Sequence, residues 1–182
     1  EIIKEELAAV KKRYADPRRT EIAGKAEEIE VEDLIAEEEM VITISNGGYI
    51  KRLGVDSYRK QRRGGKGVIA METKEEDFVK YLFIANTKDY LLVFSNKGTV
   101  RWLKVYEIPV ASRGAKGKAI VNLLSFTEGE GISSIVAVKE FSEDQFLVMA
   151  TAQGNVKKTK LSAFANPRKG GIVAITLEKN DR

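Results

Sequence analysis

A hairpin written three times limits what this chain can fold into more than any other feature of its sequence. Met40-Val-Ile-Thr-Ile44 and Tyr49-Ile-Lys-Arg-Leu53 flank Asn46-Gly47-Gly48. Tyr90-Leu-Leu-Val-Phe94 and Thr99-Val-Arg-Trp-Leu103 flank Ser95-Asn-Lys-Gly98, and Phe146-Leu-Val-Met149 and Asn155-Val-Lys-Lys-Thr159 flank Ala152-Gln-Gly154. β-Branched and aromatic runs around a glycine turn are a hairpin signal. The copies stay in register. A step of 50 residues carries Ser45-Asn46 onto Ser95-Asn96, Gly48 onto Gly98, Arg63-Gly64 onto Arg113-Gly114 and Lys66-Gly67 onto Lys116-Gly117. A further 56 carries Gly98 onto Gly154, Gly114 onto Gly170 and Ala115 onto Gly171. An additional strand is expected after each of the glycine loops, over 68–71, 119–124 and 172–177, and another before the second and third hairpins, over 81–85 and 134–138. Units of about 50 residues with about four strands each read as blades of a propeller-like array, with repeats near 40–88, 89–143 and 144–182. The fold class is mainly β.

Ahead of the array the period changes. Ile3, Leu7, Val10 and Tyr14 fall on one stripe of a charged segment, which predicts an N-terminal α-helix ended by Asp16-Pro17. Residues 1–24 are taken as helical tail and connector, and 25–39 as linker and lead-in strand, because 29–35 largely alternates apolar and acidic residues. The chain begins at Glu1 without methionine or signal segment, and three blades are fewer than the four to eight that close a propeller. Both features read as a piece of a longer intracellular polypeptide, with the helix packing on a partner outside it.

Composition removes most chemistry. Of 182 residues none is Cys or His, which excludes disulfides, thiolate or histidine metal sites and His-based triads. No apolar run approaches the roughly 20 residues that span a bilayer, so no membrane role is expected. The net charge of +4 hides an asymmetry: residues 1–40 hold 7 Lys/Arg against 13 Asp/Glu, and the rest hold 24 against 14. An acidic head precedes a basic body, which suits phosphate backbones.

The cations are patterned. The second hairpin strand of each unit carries Lys51 and Arg52, Arg101 and Lys104, or Lys157, Lys158 and Lys160 among apolar residues. Strand alternation predicts apolar members turned inward and cations displayed outward as a charged rim. The glycine loops carry Arg59, Lys60, Gln61, Arg62, Arg63, Gly64, Gly65, Lys66 and Gly67, then Arg113, Lys116 and Lys118, then Arg168 and Lys169. Arg and Lys donate to phosphate oxygens, and glycine lets backbone N–H groups approach them. With Tyr58 and Trp102 assigned to packing, aromatic stacking platforms are sparse, and double-stranded DNA fits better than single strands. Two motifs fail inspection. Gly114-Ala-Lys-Gly117-Lys118-Ala119 has two residues rather than four between its glycines and no Ser or Thr after the lysine, so it is no nucleotide loop. Arg13-Tyr14 lies on the helix's apolar stripe at its end, where Tyr14 packs rather than attacks. No catalytic residue and no metal ligand is expected in this chain.

Gln61-Arg62-Arg63-Gly64-Gly65-Lys66-Gly67 resembles without departure the seven-residue box that marks the A subunits of bacterial DNA gyrase, a type IIA topoisomerase. Asp16-Pro-Arg-Arg-Thr-Glu-Ile22 and Glu32-Asp-Leu-Ile35 resemble the segment joining the breakage-reunion core of those subunits to their C-terminal domain. The resemblance implies the end of that core followed by about three blades of a DNA-wrapping β-pinwheel. It implies a wrap that lets ATP-dependent strand passage introduce negative supercoils, with the box fastening the DNA. ATP and Mg2+ would be bound elsewhere in the holoenzyme, with no cofactor in this chain. The partners would be duplex DNA, the gyrase B subunit and a second A subunit, in the bacterial cytoplasm at the nucleoid. The departing loops at Arg113 to Lys118 and Arg168 to Gly171 inherit only backbone binding. The A-type subunit of topoisomerase IV, which lacks an intact box, and a non-enzymatic propeller module are the alternatives.

Overall fold

A computed structural model describes residues 1–17, 19–21, 31–58 and 77–182. The chain divides into two compact units, Glu1–Glu30 and Val31–Arg182. In the first, α1 (Ile2–Tyr14) ends at Ala15, whose N–H reaches the Lys11 carbonyl. Its stripe of Ile3, Leu7, Val10 and Tyr14 is exposed.

The second unit opens with a correction. Val31–Leu34 is a 3-10 turn, not the lead-in strand. Its Glu32 bonds the Lys104 ammonium at 2.7 Å, so this stretch is fixed by a side-chain pair and a short turn rather than by a sheet ladder.

The three hairpins follow: β1 (Glu39–Ser45) with β2 (Tyr49–Gly54), β4 (Tyr90–Ser95) with β5 (Thr99–Lys104), and β8 (Phe146–Ala150) with β9 (Val156–Lys160). Each closes through a turn in which Gly48, Gly98 or Gly154 donates to the carbonyl of Ser45, Ser95 or Thr151 at 3.0 Å. The extra strands do not sit where sequence order suggests. β3 (Val79–Asn86) pairs with β1 of the hairpin behind it, not with the hairpin it precedes, and β7 (Ile132–Val138) likewise pairs with β4. The reason lies in the faces. Tyr81, Phe83 and Ala85 pack with Met40, Ile42 and Ile44 against Leu91 and Val93 of the next blade, and a tight Asn86-to-Asp89 turn carries the chain from one sheet to the next.

On the other edge the blades exchange strands. β6 (Lys118–Ala119), from the second repeat, pairs with β2, and β10 (Ile172–Val173), from the third, pairs with β5. The sheet orders are therefore β3-β1-β2-β6 and β10-β5-β4-β7, with β8-β9 as a two-stranded ribbon. The strand expected over 119–124 is only these two residues long, and Ile120–Asn122 then forms a 3-10 turn that buries Ile120 and Leu124. The strand expected over 172–177 is likewise two residues. The one expected over 68–71 lies outside the described residues.

The exchange also corrects the loop register. Gly117 and Gly171 both have positive φ and sit against equivalent strand positions: a Cβ on Gly117 would strike the Ile50 carbonyl oxygen, and one on Gly171 would meet the Val100 oxygen at 2.7 Å. Gly171 therefore matches Gly117, 54 residues away, because the third connection is two residues shorter than the sequence register assumed.

Candidate nucleic-acid interface

In β2, β5 and β9 one repeat position holds a cation throughout, Lys51, Arg101 and Lys157, and the next holds Arg52, Trp102 and Lys158. The first two sites overturn the expected rim. Lys51 and Arg101 are buried, with Lys51 at 0% and Arg101 at 4% exposure. The strand flanks of these residues are covered on both faces, since Val100–Leu103 are all buried, so alternation gives no outward side for a cation.

Each buried charge is matched. The Lys51 ammonium donates to the carbonyls of Ser112, Arg113 and Ala115 at 3.0, 2.5 and 2.8 Å. Arg52, half-buried, donates through Nε to the Ile108 carbonyl at 2.6 Å and through Nη2 to that of Tyr106 at 3.1 Å. Its backbone continues the clasp, with Arg52 N–H on Pro109 O and Ala111 N–H on Arg52 O. Burial lowers the Arg52 pKa, and the negative charge of Glu38 opposes that. Together the two side chains hold the strap 106–115, which leads from β5 into the second glycine loop.

Arg101 solves the same burial differently. Its guanidinium forms a two-pronged pair with Glu130 at 2.6 and 3.0 Å and lies over the Phe126 ring. Burial alone would raise the Glu130 pKa. Hydrogen bonds from Arg101, the Thr127 N–H, Thr99 and Ser95 outweigh it and hold the carboxyl far below the usual carboxylate range. In the Arg52 position, Trp102 donates its indole N–H to Phe164 O at 2.8 Å.

Lys104 is also spoken for, on Glu32, the Lys88 carbonyl and the Tyr90 ring. Lys157 donates to Ala174 O at 2.6 Å while the rest of its side chain is exposed. What faces solvent is the loop set Arg113, Lys116, Lys118, Arg168 and Lys169, with Lys158 and Lys160 on the ribbon. Lys160 shares an exposed ion pair with Glu143. Arg59, Lys60 and the box residues Gln61, Arg62, Arg63, Gly64, Gly65, Lys66 and Gly67 lie outside the described residues.

Sequence reasoning passed over three acids. Asp77 accepts from the Gly47 N–H at 2.7 Å, Glu130 from Thr99, and Asp181 from the Gln153 N–H at 3.0 Å. They hold equivalent places, since the next residue of each offers its carbonyl to the hairpin turn: Phe78 to Asn46, Gly131 to Asn96 and Arg182 to Ala152. The Asp77 carboxyl is pulled below its ordinary pKa by Ser45 and by backbone N–H groups around it. No local pattern marks them: Asp77 ends the run Glu75-Glu76-Asp77, Glu130 has Glu128 beside it, and only Arg182 follows Asp181.

Among the described residues no group of three or more Asp or Glu is placed to hold a metal ion, and no helix is long and apolar enough to cross a membrane.

Comparison with known proteins then bears on the whole array. The family model described as DNA gyrase C-terminal domain, beta-propeller, matches residues 39–86, 89–139 and 145–182. The DNA gyrase A subunit of Aeromonas salmonicida is 50% identical over 181 residues, covering 100% of this chain and 20% of that protein. Its counterpart in Clostridium acetobutylicum is 47% identical over 180 residues, 99% and 22% respectively. The chain thus spans about a fifth of the length of the curated relatives it matches. Among solved structures, a DNA gyrase A C-terminal domain aligns with TM-score 0.65 and 29% identity over 80% of this chain and 46% of that one. The C-terminal domain of a DNA topoisomerase IV aligns with TM-score 0.67 and 28% identity, over 81% and 44%.

Proposed function

We propose, because the chain belongs to the DNA gyrase C-terminal domain family with its β-propeller fold, that it binds duplex DNA along its exposed glycine loops and bends the DNA around the blades. The observation that carries this reading is the placing of Arg113, Lys116 and Lys118 in solvent on one glycine loop, with Arg168 and Lys169 on the next. Phosphate contacts of this kind position a duplex without reading its sequence.

In the full-length protein the wrap would feed a second DNA segment to strand passage and so introduce negative supercoils, with ATP and Mg2+ bound by the gyrase B subunit. That protein and a second copy of the A subunit would complete the holoenzyme in the bacterial cytoplasm. This chain contributes no catalytic group to that scheme and holds no cofactor. The topoisomerase IV alternative has structural likeness on its side, while the unbroken box at Gln61 to Gly67 and the identity to gyrase A subunits favour gyrase.

Alanine across residues 61–67 of the full-length protein is expected to abolish ATP-driven negative supercoiling and spare relaxation and decatenation, which need no closed wrap. A variant that supercoils at the normal rate refutes the clamp. The isolated chain is expected to bind mixed-sequence duplex with log K falling against log salt. For roughly five phosphates neutralised the slope is about −4.5, and a flat response removes the DNA-binding reading.

A further inference from the structure

We infer that Lys51 and Arg52, read from sequence as phosphate ligands, are positioning residues that shape the phosphate site of the neighbouring repeat. The inference rests on the DNA-binding reading above and names how one of its loops is built.

The geometry begins with the carbonyls. Those of Ser112, Arg113 and Ala115 all point at the Lys51 ammonium. In a trans peptide the N–H points opposite to its carbonyl, and the chain has no cis peptide among the described residues. The N–H groups of Arg113, Gly114 and Lys116 are therefore turned away from the ammonium. The side chains of Arg113, Lys116 and Lys118 are exposed on the same short stretch. One buried cation thus sorts the loop: oxygens inward, where they would repel a phosphate, and N–H dipoles outward, where they attract one. Arg52 anchors the approach by holding Tyr106 O and Ile108 O, and Gly117 finishes it, since a side chain there would strike the backbone of Ile50.

Without the ammonium, the Ser112 carbonyl keeps the Ala115 N–H at 3.1 Å, but those of Arg113 and Ala115 lose the donor that gathers them, and the loop must turn to rehydrate them. The three surface cations would survive, but their common geometry and the aligned N–H groups would not. DNA affinity then falls although no exposed charge has been removed. Neither role touches DNA directly, so both residues act through residues 112–118.

The test is a double-mutant comparison in the full-length protein, with binding to a mixed-sequence duplex measured across salt. Lys51→Met is expected to weaken binding on the order of tenfold at about 0.1 M salt and to make the salt slope shallower by about 0.9 for each phosphate no longer held. The same substitution in a background of R113Q, K116Q and K118Q should weaken binding far less and leave the salt slope unchanged, because only the uncharged N–H groups remain to be misaligned. Equal weakening in both backgrounds would assign Lys51 a general structural role and overturn the inference, as would full retention of affinity by Lys51→Met. If Lys51→Met does not fold, Lys51→Arg serves. It keeps the charge but spreads it over a planar fork that cannot gather three carbonyls at one nitrogen, and it should show the same loop-dependent weakening. Should the unaltered protein fail to bind duplex at all, it is the proposed function that falls.

Discussion

The junction between the first and second blades and the junction between the second and third use the same strand positions with opposite electrostatics. At the first, Lys51 and Arg52 direct positive charge onto neutral carbonyls of the crossing strap. At the second, Arg101 has turned to Glu130, and the carbonyl equivalent to Ile108 O, that of Phe164, receives an indole N–H from Trp102. A cation buried among dipoles keeps its charge only while the dipoles stay in place. A cation buried on a carboxylate is neutralised locally and leaves its strap to packing, here by Trp102, Leu161 and Phe164. One repeat position therefore ties charge to loop shape in one case and to blade stability in the other.

The sharpest way to break this comparison is to strand one partner of the buried pair. Glu130→Gln or Arg101→Met should each cost about 3 to 5 kcal/mol, because the remaining charge is left with almost no solvent, whereas Arg101→Met with Glu130→Met together should recover most of that stability. Urea unfolding followed by Trp102 fluorescence reports it. Near-additive costs in the double variant would mean that the two groups stabilise the blade independently. The pair also fixes a pH dependence. The folded Glu130 carboxyl titrates far below an unfolded one, whose pKa is about 4.3. Its contribution is present above that unfolded value and drains away as pH falls below it. Glu130→Gln should therefore flatten the stability profile on the acid side of about pH 5, and an unchanged acid limb would sink the assignment.

A smaller effect separates the two straps themselves. Gly117→Ala should cost about 3 kcal/mol and Gly171→Ala about 2. Both impose positive φ on alanine, but the first Cβ overlaps both the oxygen and the carbon of the Ile50 carbonyl, whereas the second meets the Val100 oxygen at 2.7 Å and the Arg101 Cγ at 2.9 Å while the Val100 carbonyl carbon stays 3.5 Å away. Thermal unfolding of the two variants checks the order. A reversal would show that the second strap is the more tightly held.

These pairings also mark where sequence stopped being informative. The three hairpins were legible because strand alternation and glycine turns are local signals, and the observed bounds differ from the expected ones by a residue or so at most ends. The exchange of β6 and β10 between blades was not, since two-residue strands leave almost no pattern and their partners lie more than sixty residues away. Burial of Lys51 and Arg101 was hidden for a related reason. Strands between stacked blades are covered on both faces, and a basic residue in an alternating run then reads as a surface residue. Glu130 stayed anonymous because nothing in Thr127-Glu-Gly-Glu130 distinguishes the buried acid from its exposed neighbour Glu128. The exposed loop cations Arg113, Lys116 and Lys118 were legible from glycine and charge alone.

The least disruptive change compares Lys104 with its counterpart Lys160, which ends the matching strand of the third hairpin. Lys104 is largely buried, over the Tyr90 ring and on Glu32 and a carbonyl. Although burial works against its charge, Glu32 and Tyr90 raise its pKa on balance. Lys104→Gln should therefore cost about 1.5 kcal/mol, the lower end of the usual value of a hydrogen bond to a charged group. Lys160 pairs with Glu143 at 3.0 Å with both side chains more than half exposed. Water and salt offer each of them an equivalent partner, so Lys160→Gln should leave the unfolding midpoint where it was. Its cost should appear in DNA binding instead, because a phosphate can replace Glu143 at an exposed ammonium. The salt slope should become shallower by about 0.9, the share of one phosphate. A shifted midpoint with an unchanged slope would place Lys160 among the internal cations with Lys104 and would take the third hairpin out of the DNA-facing set.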